Sequence, residues 1–546
     1  MPKLRWIDDD KARNAVSNVV MKILREDKSL SYGDPKSGNI LVHGDNLEAL
    51  KALLPFYAGR VKCVCIDPPF NTGAAFEHYD DNLEHSTWLS LMFQRLELLH
   101  RFLSEDGVMF VILDDSESAY CKIMLDEIFG RNNYVNEIIN ATNKPFGFKA
   151  TSSGIFKQSN HILFYAKDKK LLQLNEEALF IEKEYDPQYK YVFADMTLPE
   201  SEWKWEKVAD VVARESGYVS PKEAKKHLGE NEFGLRVSTF AIENASRVFR
   251  TAAVSGGAYL KRRETIAKSK SLKTSIVRHP NDDMDYMFIG GERVLMYKDR
   301  LKEIDGMLLP GEVITDLWTD IPVEGLASEG GVEFPKGKKP EKLIQRCIAL
   351  STKSGDIVLD SFLGSGTTAA VAHKMNRRWI GVEMGEHAKT HCAARLKMVV
   401  DGEQGAISKH VGWQGGGGFK FYELGELLLD ENGAISEGID FDTLAAHIWW
   451  RETEKSWDVA TRNGTFLGVY DGIAYAMLYN GVLHDRSYAG GNVLTPKTMR
   501  IVREDIGAAK YDRMIVYGEC TKLSAAKLKE EKIEFRQTPY DIVTRR

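Results

Sequence analysis

The 546-residue sequence predicts an α/β protein built on a parallel sheet, interrupted by a large insertion and extended by an α+β C-terminal region. Three observations carry that prediction. Apolar runs of strand length alternate with runs of helical periodicity, which is the rhythm of βαβ units. The rhythm occurs in two blocks, residues 39–113 and 341–383. The stretch between the blocks is far too long for a loop and points to an inserted domain.

In chain order, residues 39–50 read as a short strand stopped by Gly44-Asp45 and followed by a helix start. Residues 61–66 (Val-Lys-Cys-Val-Cys-Ile) form a β-rich run that ends abruptly at Asp67-Pro68-Pro69. Between Trp88 and Phe102 the apolar positions Leu89, Met92, Phe93, Leu96, Leu99 and Phe102 recur at helical spacing. Glu105-Asp106-Gly107 closes that helix, and Val108–Leu113 is a continuous apolar run of buried-strand length. The second block predicts a helix at 341–351, a strand at 356–360, a glycine-rich turn, a helix at 367–375 and a strand at 378–383. The expected organisation is 1–140 as one half of the sheet domain and 336–401 as the other. An insert spans 141–335, its first part to about 167 still belonging to the sheet. The C-terminal region is 402–546, entered through a hinge at Gly415–Gly418.

Composition excludes several classes. No stretch reaches the ~18–20 uninterrupted apolar residues of a membrane span, and the N-terminus lacks the apolar core of a signal peptide, so a cytoplasmic protein is expected. Six cysteines in so long a chain form neither a disulfide framework nor a zinc knuckle, and no metal site is expected. The net charge of −6 is unevenly spread: residues 141–280 carry 24 Lys+Arg against 17 Asp+Glu, the remainder 49 against 62. The basic segment is sharpest from Lys261 to Lys273, where Lys261, Arg262, Arg263, Lys268, Lys270 and Lys273 face a single anion, Glu264. Such a run suits a phosphate backbone; a solvated helix face or loop is the alternative.

Two motifs carry chemistry. In Val358-Leu-Asp360-Ser-Phe362-Leu-Gly364-Ser-Gly366-Thr367-Thr368, a strand ends in a glycine turn and a helix N-terminus follows. The next strand ends in Glu383, where a carboxylate accepts hydrogen bonds from ribose hydroxyls. This describes an adenosine-containing cofactor, and the glycine pattern alone does not separate NAD from S-adenosylmethionine. The second motif, Asp67-Pro68-Pro69-Phe70-Asn71-Thr72-Gly73, ends an apolar strand with two residues that lack backbone donors. The Asp67 carboxylate and Pro68 carbonyl form an acceptor pair suited to an amino group, and Phe70 offers a face for a planar base.

On these residues the sequence resembles the amino-group DNA methyltransferases, defined by an Asp-Pro-Pro-aromatic tetrapeptide and a Phe-x-Gly-x-Gly loop. The tetrapeptide precedes the loop here with the basic insert between them, as in the β group. The resemblance therefore implies a circularly permuted, Rossmann-like methyltransferase sheet with an inserted target recognition domain. Leu41-Val-His-Gly-Asp45, His161–Lys167, Lys339–Leu343, Gly415–Gly425 and Phe535–Asp541 are similar to stretches in modification subunits of Type III restriction systems. Carried over position by position, Asp67, Pro68, Pro69 and Phe70 are catalytic. Asp45, Asp67, Lys339, Pro340, Asp360, Phe362, Gly364, Gly366, Thr367, Thr368 and Glu383 belong to the S-adenosylmethionine site, with Asp45 at the cofactor's adenine amine and Lys339-Pro340 beside its carboxylate. Phe70 departs from the tyrosine usual in the group, keeping the stacking face and losing a hydroxyl.

The implied reaction is direct methyl transfer to a nucleobase amine of flipped-out duplex DNA. The chain has no Pro-Cys dipeptide, the nucleophile motif of cytosine carbon-5 enzymes. Aspartate at the first tetrapeptide position is the family's mark of adenine N6 specificity. A homodimer and a separate helicase-nuclease restriction subunit are the implied protein partners. The alternatives are a cytosine-N4 or RNA methyltransferase, a silent DNA-binding specificity subunit, and an NAD oxidoreductase, which would leave Asp67–Phe70 without a role.

Overall fold

The computed structural model describes residues 3–18, 21–71, 83–142, 155–280, 286–304, 306–321, 326–334, 337–429, 435–436 and 438–538. The chain divides into two compact units, residues 1–175 with 315–546, and residues 176–314.

The larger unit is organised by one mixed sheet. Its strands are β1 (Lys22–Glu26), β2 (Ile40–His43), β3 (Val61–Ile66), β4 (Leu103–Leu113), β5 (Tyr134–Ala141), β6 (Ser159–Ala166), β7 (Leu317–Trp318), β8 (Ile357–Asp360), β9 (Arg378–Glu383) and β10 (Gly418–Leu427). They lie in the order β1-β10-β2-β9-β8-β3-β4-β6-β5-β7, with Tyr32–Gly33 pairing β10 off that path. The run from β10 to β4 is parallel throughout. β6 is antiparallel to both β4 and β5.

The parallel strands are apolar because helices cover them. Helix α1 (Asn46–Tyr57) and helix α2 (His85–Phe102) pack Leu50, Leu53, Trp88, Met92, Leu96 and Leu99 against Val64, Ile66, Met109 and Val111, all buried. Helices α3 (Glu341–Ser351), α4 (Thr367–Lys374) and α5 (Ala393–Val400) belong to the second sequence block. The sheet thus draws its centre from two distant parts of the chain, as a permuted α/β fold requires. All six cysteines are free and five are buried.

Three expected boundaries change. The sheet part of the insert, expected to about 167, runs to 175, and 315–335 also fall in the larger unit, so the insert packs as 176–314; Leu317–Trp318 joins the main sheet beside Ile139 and Asn140. The region after 401 is not separate from the sheet, because β10 pairs along the whole of β2. The glycine run is no free hinge either. A Cβ on Gly415 would meet the Gly402 backbone at 3.0 Å, and one on Gly417 the His373 ring at 2.9 Å. Glycine is used there for close approach between segments rather than for freedom.

Beyond β10, a four-stranded sheet (Phe466–Tyr470, Ile473–Met477, Arg513–Gly518, Ile533–Gln537) carries helices Phe441–Thr453 and Pro496–Ile506. Its aromatics Trp449, Trp457 and Tyr475 are buried in a shared core with Ile23. The smaller unit contains a six-stranded and a three-stranded sheet and the helices Val208–Glu215, Pro221–Leu228, Glu230–Glu243 and Gly256–Leu272. Among the described residues no helix is long and apolar enough to cross a membrane.

Candidate active site

At the centre of the sheet β8 and β3 lie side by side and parallel, Val358 opposite Cys63 and Leu359 opposite Val64. From this pair the chain winds outward in opposite senses, β8 to β9 on one side and β3 to β4 on the other. The crevice beyond the carboxyl ends of such a pair is where α/β sheets bind ligands. The two sequence motifs are the two corners of that crevice.

The first corner is stiffened by its prolines and pinned from below. The indole N–H of buried Trp88 donates to the Pro69 carbonyl at 2.8 Å. Asn71, at φ +58°, turns the chain, donates to Glu117 and accepts from the Leu83 backbone N–H, each at 2.8 Å. Thr72 and Gly73, the end of the motif, lie outside the described residues. Lys339 approaches from the segment before α3, with Nζ 2.5 Å from Asp67 Oδ2 and 4.6 Å from the Phe70 ring centre. Lys339 therefore holds the tetrapeptide rather than standing apart from it. Pro340 does not line the cavity; its carbonyl starts α3 by accepting from Leu343.

The second corner is a glycine turn. Gly364 and Gly366 have φ of +56° and +82°, and Gly366 caps α4. The Glu383 carboxylate crosses from β9 and accepts from Gly364 N–H at 2.7 Å and Gly385 N–H at 3.0 Å. Asp360 accepts from Phe362 N–H at 2.9 Å. Burial pushes the Asp360 carboxyl up to about 7, against the hydrogen bonds from Thr368 and Phe362. Behind the turn, fully buried Arg395 donates to Thr367 Oγ1 at 2.8 Å and pairs with Glu341 at 2.7 Å. Glu341 also takes Lys374 at 2.7 Å.

A cavity of about 360 Å³ joins the corners. Asp67, Pro68, Pro69 and Phe70 face it from one side, and Asp360, Phe362, Gly364, Thr367, Thr368 and Glu383 from the other. Gly366 shapes the turn without lining the cavity. Asp45 lines it and caps α1 by accepting from Leu47 N–H at 2.8 Å, while its other oxygen pairs with Arg95 at 2.9 Å. Asn46 and Arg95 also line the cavity and were not anticipated; Asn46 donates to the Ser361 carbonyl at 2.7 Å and so ties α1 to the glycine corner. The available signal was Arg95 itself, a lone cation on the apolar stripe of α2 between Met92 and Leu96.

The cavity's charge separates the two cofactor classes that the glycine pattern left open. Four carboxylates (Asp45, Asp67, Asp360, Glu383) line it against two cations, Arg95 and Lys339. The Gly364 N–H that would cradle a pyrophosphate is already given to Glu383. A sulfonium cation fits this lining and a dinucleotide pyrophosphate does not.

Asp360 makes stability pH-dependent with a definite sign. Its folded pKa lies above the ordinary value of 3.8, so the folded state binds more protons between the two values and stability falls as pH rises through about 7. Acidifying the ligand-free protein from pH 8 to 6 is expected to add on the order of 1 kcal/mol from this group. Asp360→Asn should lack that increment in thermal melts; an identical pH dependence in the variant would contradict it.

The residues expected to meet DNA lie in the smaller unit. The run from Lys261 is not a loop but most of the helix Gly256–Leu272, with Lys273 just past its end. Lys261, Arg263, Lys268, Lys270 and Lys273 are exposed. Arg262 is not: it is buried, its guanidinium 3.7 Å from the Tyr286 ring centre, so it anchors the helix and is corrected from the contact set.

With this geometry, comparison with known proteins places the chain in a family. The DNA methylase family model matches residues 61–251 and 254–394, and the chain belongs to that family, which is S-adenosylmethionine-dependent. It is 35% identical over 426 residues to the "Probable type III restriction-modification enzyme HindVI Mod subunit" of Haemophilus influenzae, covering 73% of this chain and 55% of that protein. It is 26% identical to the type III restriction-modification enzyme EcoPI Mod subunit of Escherichia phage P1, covering 69% and 61%. The chain thus spans little more than half the length of these curated relatives. Among solved structures, the cytosine-N4-specific PvuII DNA methyltransferase aligns with 14% identity and a TM-score of 0.32, over 68% of this chain and 92% of that one.

Proposed function

We propose that this chain is the modification component of a restriction-modification system and methylates the N6 amine of adenine in duplex DNA. The observation that carries the proposal is the convergence of Asp67–Phe70 and Phe362–Thr368 on one acidic cavity. S-adenosylmethionine supplies an electrophilic methyl group on a sulfonium. Asp45, Asp360, Phe362, Gly364, Thr367, Thr368 and Glu383 would hold it, their carboxylates matching its positive charge. The target base leaves the stack, at a cost of a few kcal/mol offset by protein contacts, and lies on the Phe70 ring.

A ring amine is a poor nucleophile because its lone pair is delocalised. Hydrogen bonds accepted by the Asp67 carboxylate and the Pro68 carbonyl draw its hydrogens out of the ring plane and localise the pair toward the methyl. The same acceptors stabilise the cationic nitrogen that develops, without reorganising during the step. Lys339 holds Asp67 through Oδ2, and a carboxylate's remaining lone pairs can accept from the target amine beside that ammonium.

Adenine is chosen over cytosine on the aspartate at position 67, and a separate restriction subunit is proposed from the type III relatives. Residues 176–314 are the proposed target recognition unit. The test incubates the full chain with methyl-labelled S-adenosylmethionine and duplex DNA and digests to nucleosides. Label in N6-methyl-2′-deoxyadenosine is expected; label only in N4-methyl-2′-deoxycytidine would shift the base assignment, and unlabelled DNA would refute the activity.

A further inference from the structure

The helix Gly256–Leu272 combines a firmly held inner face with an outer face that is unusual for a solvated helix. Inward, Arg262, Ile266 and Ser269 are buried at i, i+4, i+7 spacing. The Arg262 guanidinium stacks on Tyr286, whose ring is also met by Arg293 at 3.8 Å. Thr265 Oγ1 lies 2.7 Å from His279 Nδ1, and the Gly291 N–H donates to Ser269 Oγ at 3.0 Å. Three contacts, of Arg262, Thr265 and Ser269, thus anchor the helix to its unit.

Outward, the positions opposite this stripe are Leu260, Glu264, Ala267 and Ser271, all exposed, with Leu260 at 66%. An ordinary exposed helix carries its long cations there. Here the cations stand to either side instead. At 100° per residue, Lys261 and Lys268 form a row on one flank and Arg263 and Lys270 a row on the other, each pair seven residues apart. Seven residues are two turns, about 10.5 Å along the axis. The result is a narrow, weakly charged ridge between two parallel cationic rows.

We infer that this helix enters the major groove of duplex DNA, the flanking rows taking phosphates of the two strands while Glu264, Ala267 and Ser271 face the base edges. The inference rests on the proposed DNA methyltransferase activity and names the residues that set its sequence preference. A helix about 10–12 Å across fills a groove about 12 Å wide, so both rows reach the walls at once. Glu264, the ridge's one charged group, is an acceptor suited to the cytosine N4 amine, and Ala267 is suited to a thymine methyl.

The test uses the full chain and compares Glu264→Gln, Ser271→Ala and the double variant Lys268→Ala/Lys270→Ala with the parent, after confirming unchanged circular dichroism and melting. Methylation sites are sequenced on genomic DNA, and binding is measured on a random duplex pool across a salt series. The ridge variants should each relax preference at one base pair by about tenfold while keeping overall affinity. The double lysine variant should weaken binding to all sequences alike and reduce the slope of log affinity against log salt by about two. Unchanged sequence preference in both ridge variants, or an unchanged salt slope in the lysine variant, would overturn the assignment while leaving the methyltransferase reading intact. If the parent methylates no DNA, the functional reading fails and this inference falls with it.

Discussion

Asp67→Ala is expected to lower the rate of methyl transfer by about 10²–10³-fold while leaving cofactor affinity within a few-fold of the parent. The carboxylate contributes most where positive charge develops on the target nitrogen, so its loss raises the barrier more than it weakens ground-state binding. The fold should survive, because the Lys339 side chain left behind is 13% exposed and has solvent within reach. Single-turnover kinetics with labelled cofactor, alongside calorimetric titration, separate the two quantities. Retained turnover would remove Asp67 from the chemistry; loss of both turnover and cofactor binding would make it a cofactor residue only.

The second large effect concerns stability. Glu341→Ala is expected to cost about 3–5 kcal/mol, because it leaves buried Arg395 without a carboxylate and leaves buried Lys374 with Glu403 as its one remaining carboxylate. Lys374 and Arg395 are fully buried and share the two oxygens of this one side chain, and Arg395 in turn holds Thr367 at the start of α4. Burial pulls the Glu341 carboxyl upward, yet Arg395 and Lys374 outweigh it and hold it below the usual glutamate value of 4.5. A depressed folded pKa means that the stabilisation is present above 4.5 and disappears as pH falls through the folded value. Denaturant titration at pH 7 and at pH 4 should therefore show a larger penalty for the variant at the higher pH. A loss under 1 kcal/mol at pH 7 would show that the cations find other partners.

Much of the sheet was legible because its signals are local. The apolar runs at 61–66 and 108–113, the α2 periodicity and the glycine turn each occupy a few consecutive residues. Both corners of the site were legible for the same reason. What escaped joins residues far apart in the chain. Lys339 meets Asp67 across 272 positions, Arg95 meets Asp45 across 50, and Arg395 meets Glu341 across 54. No window of sequence encodes such pairs.

Two misreadings have the same origin in composition. Four consecutive glycines at 415–418 suggest a hinge, whereas at Gly415, Gly417 and Gly418 a Cβ would meet a neighbouring segment within 3.0 Å. Arg262 was grouped with its exposed neighbours because charge normally sits outside. Its guanidinium instead finds an aromatic face, which lowers the cost of burial.

The central claim is that the proline corner and the glycine corner form one ligand cleft. Hydrogen exchange of the full chain with and without S-adenosylmethionine tests it most directly. Peptides covering residues 61–71 and 361–368 should slow together on cofactor binding, with matching concentration dependence. Protection confined to the glycine corner, with exchange at Asp67–Asn71 unchanged at saturating cofactor, would contradict it.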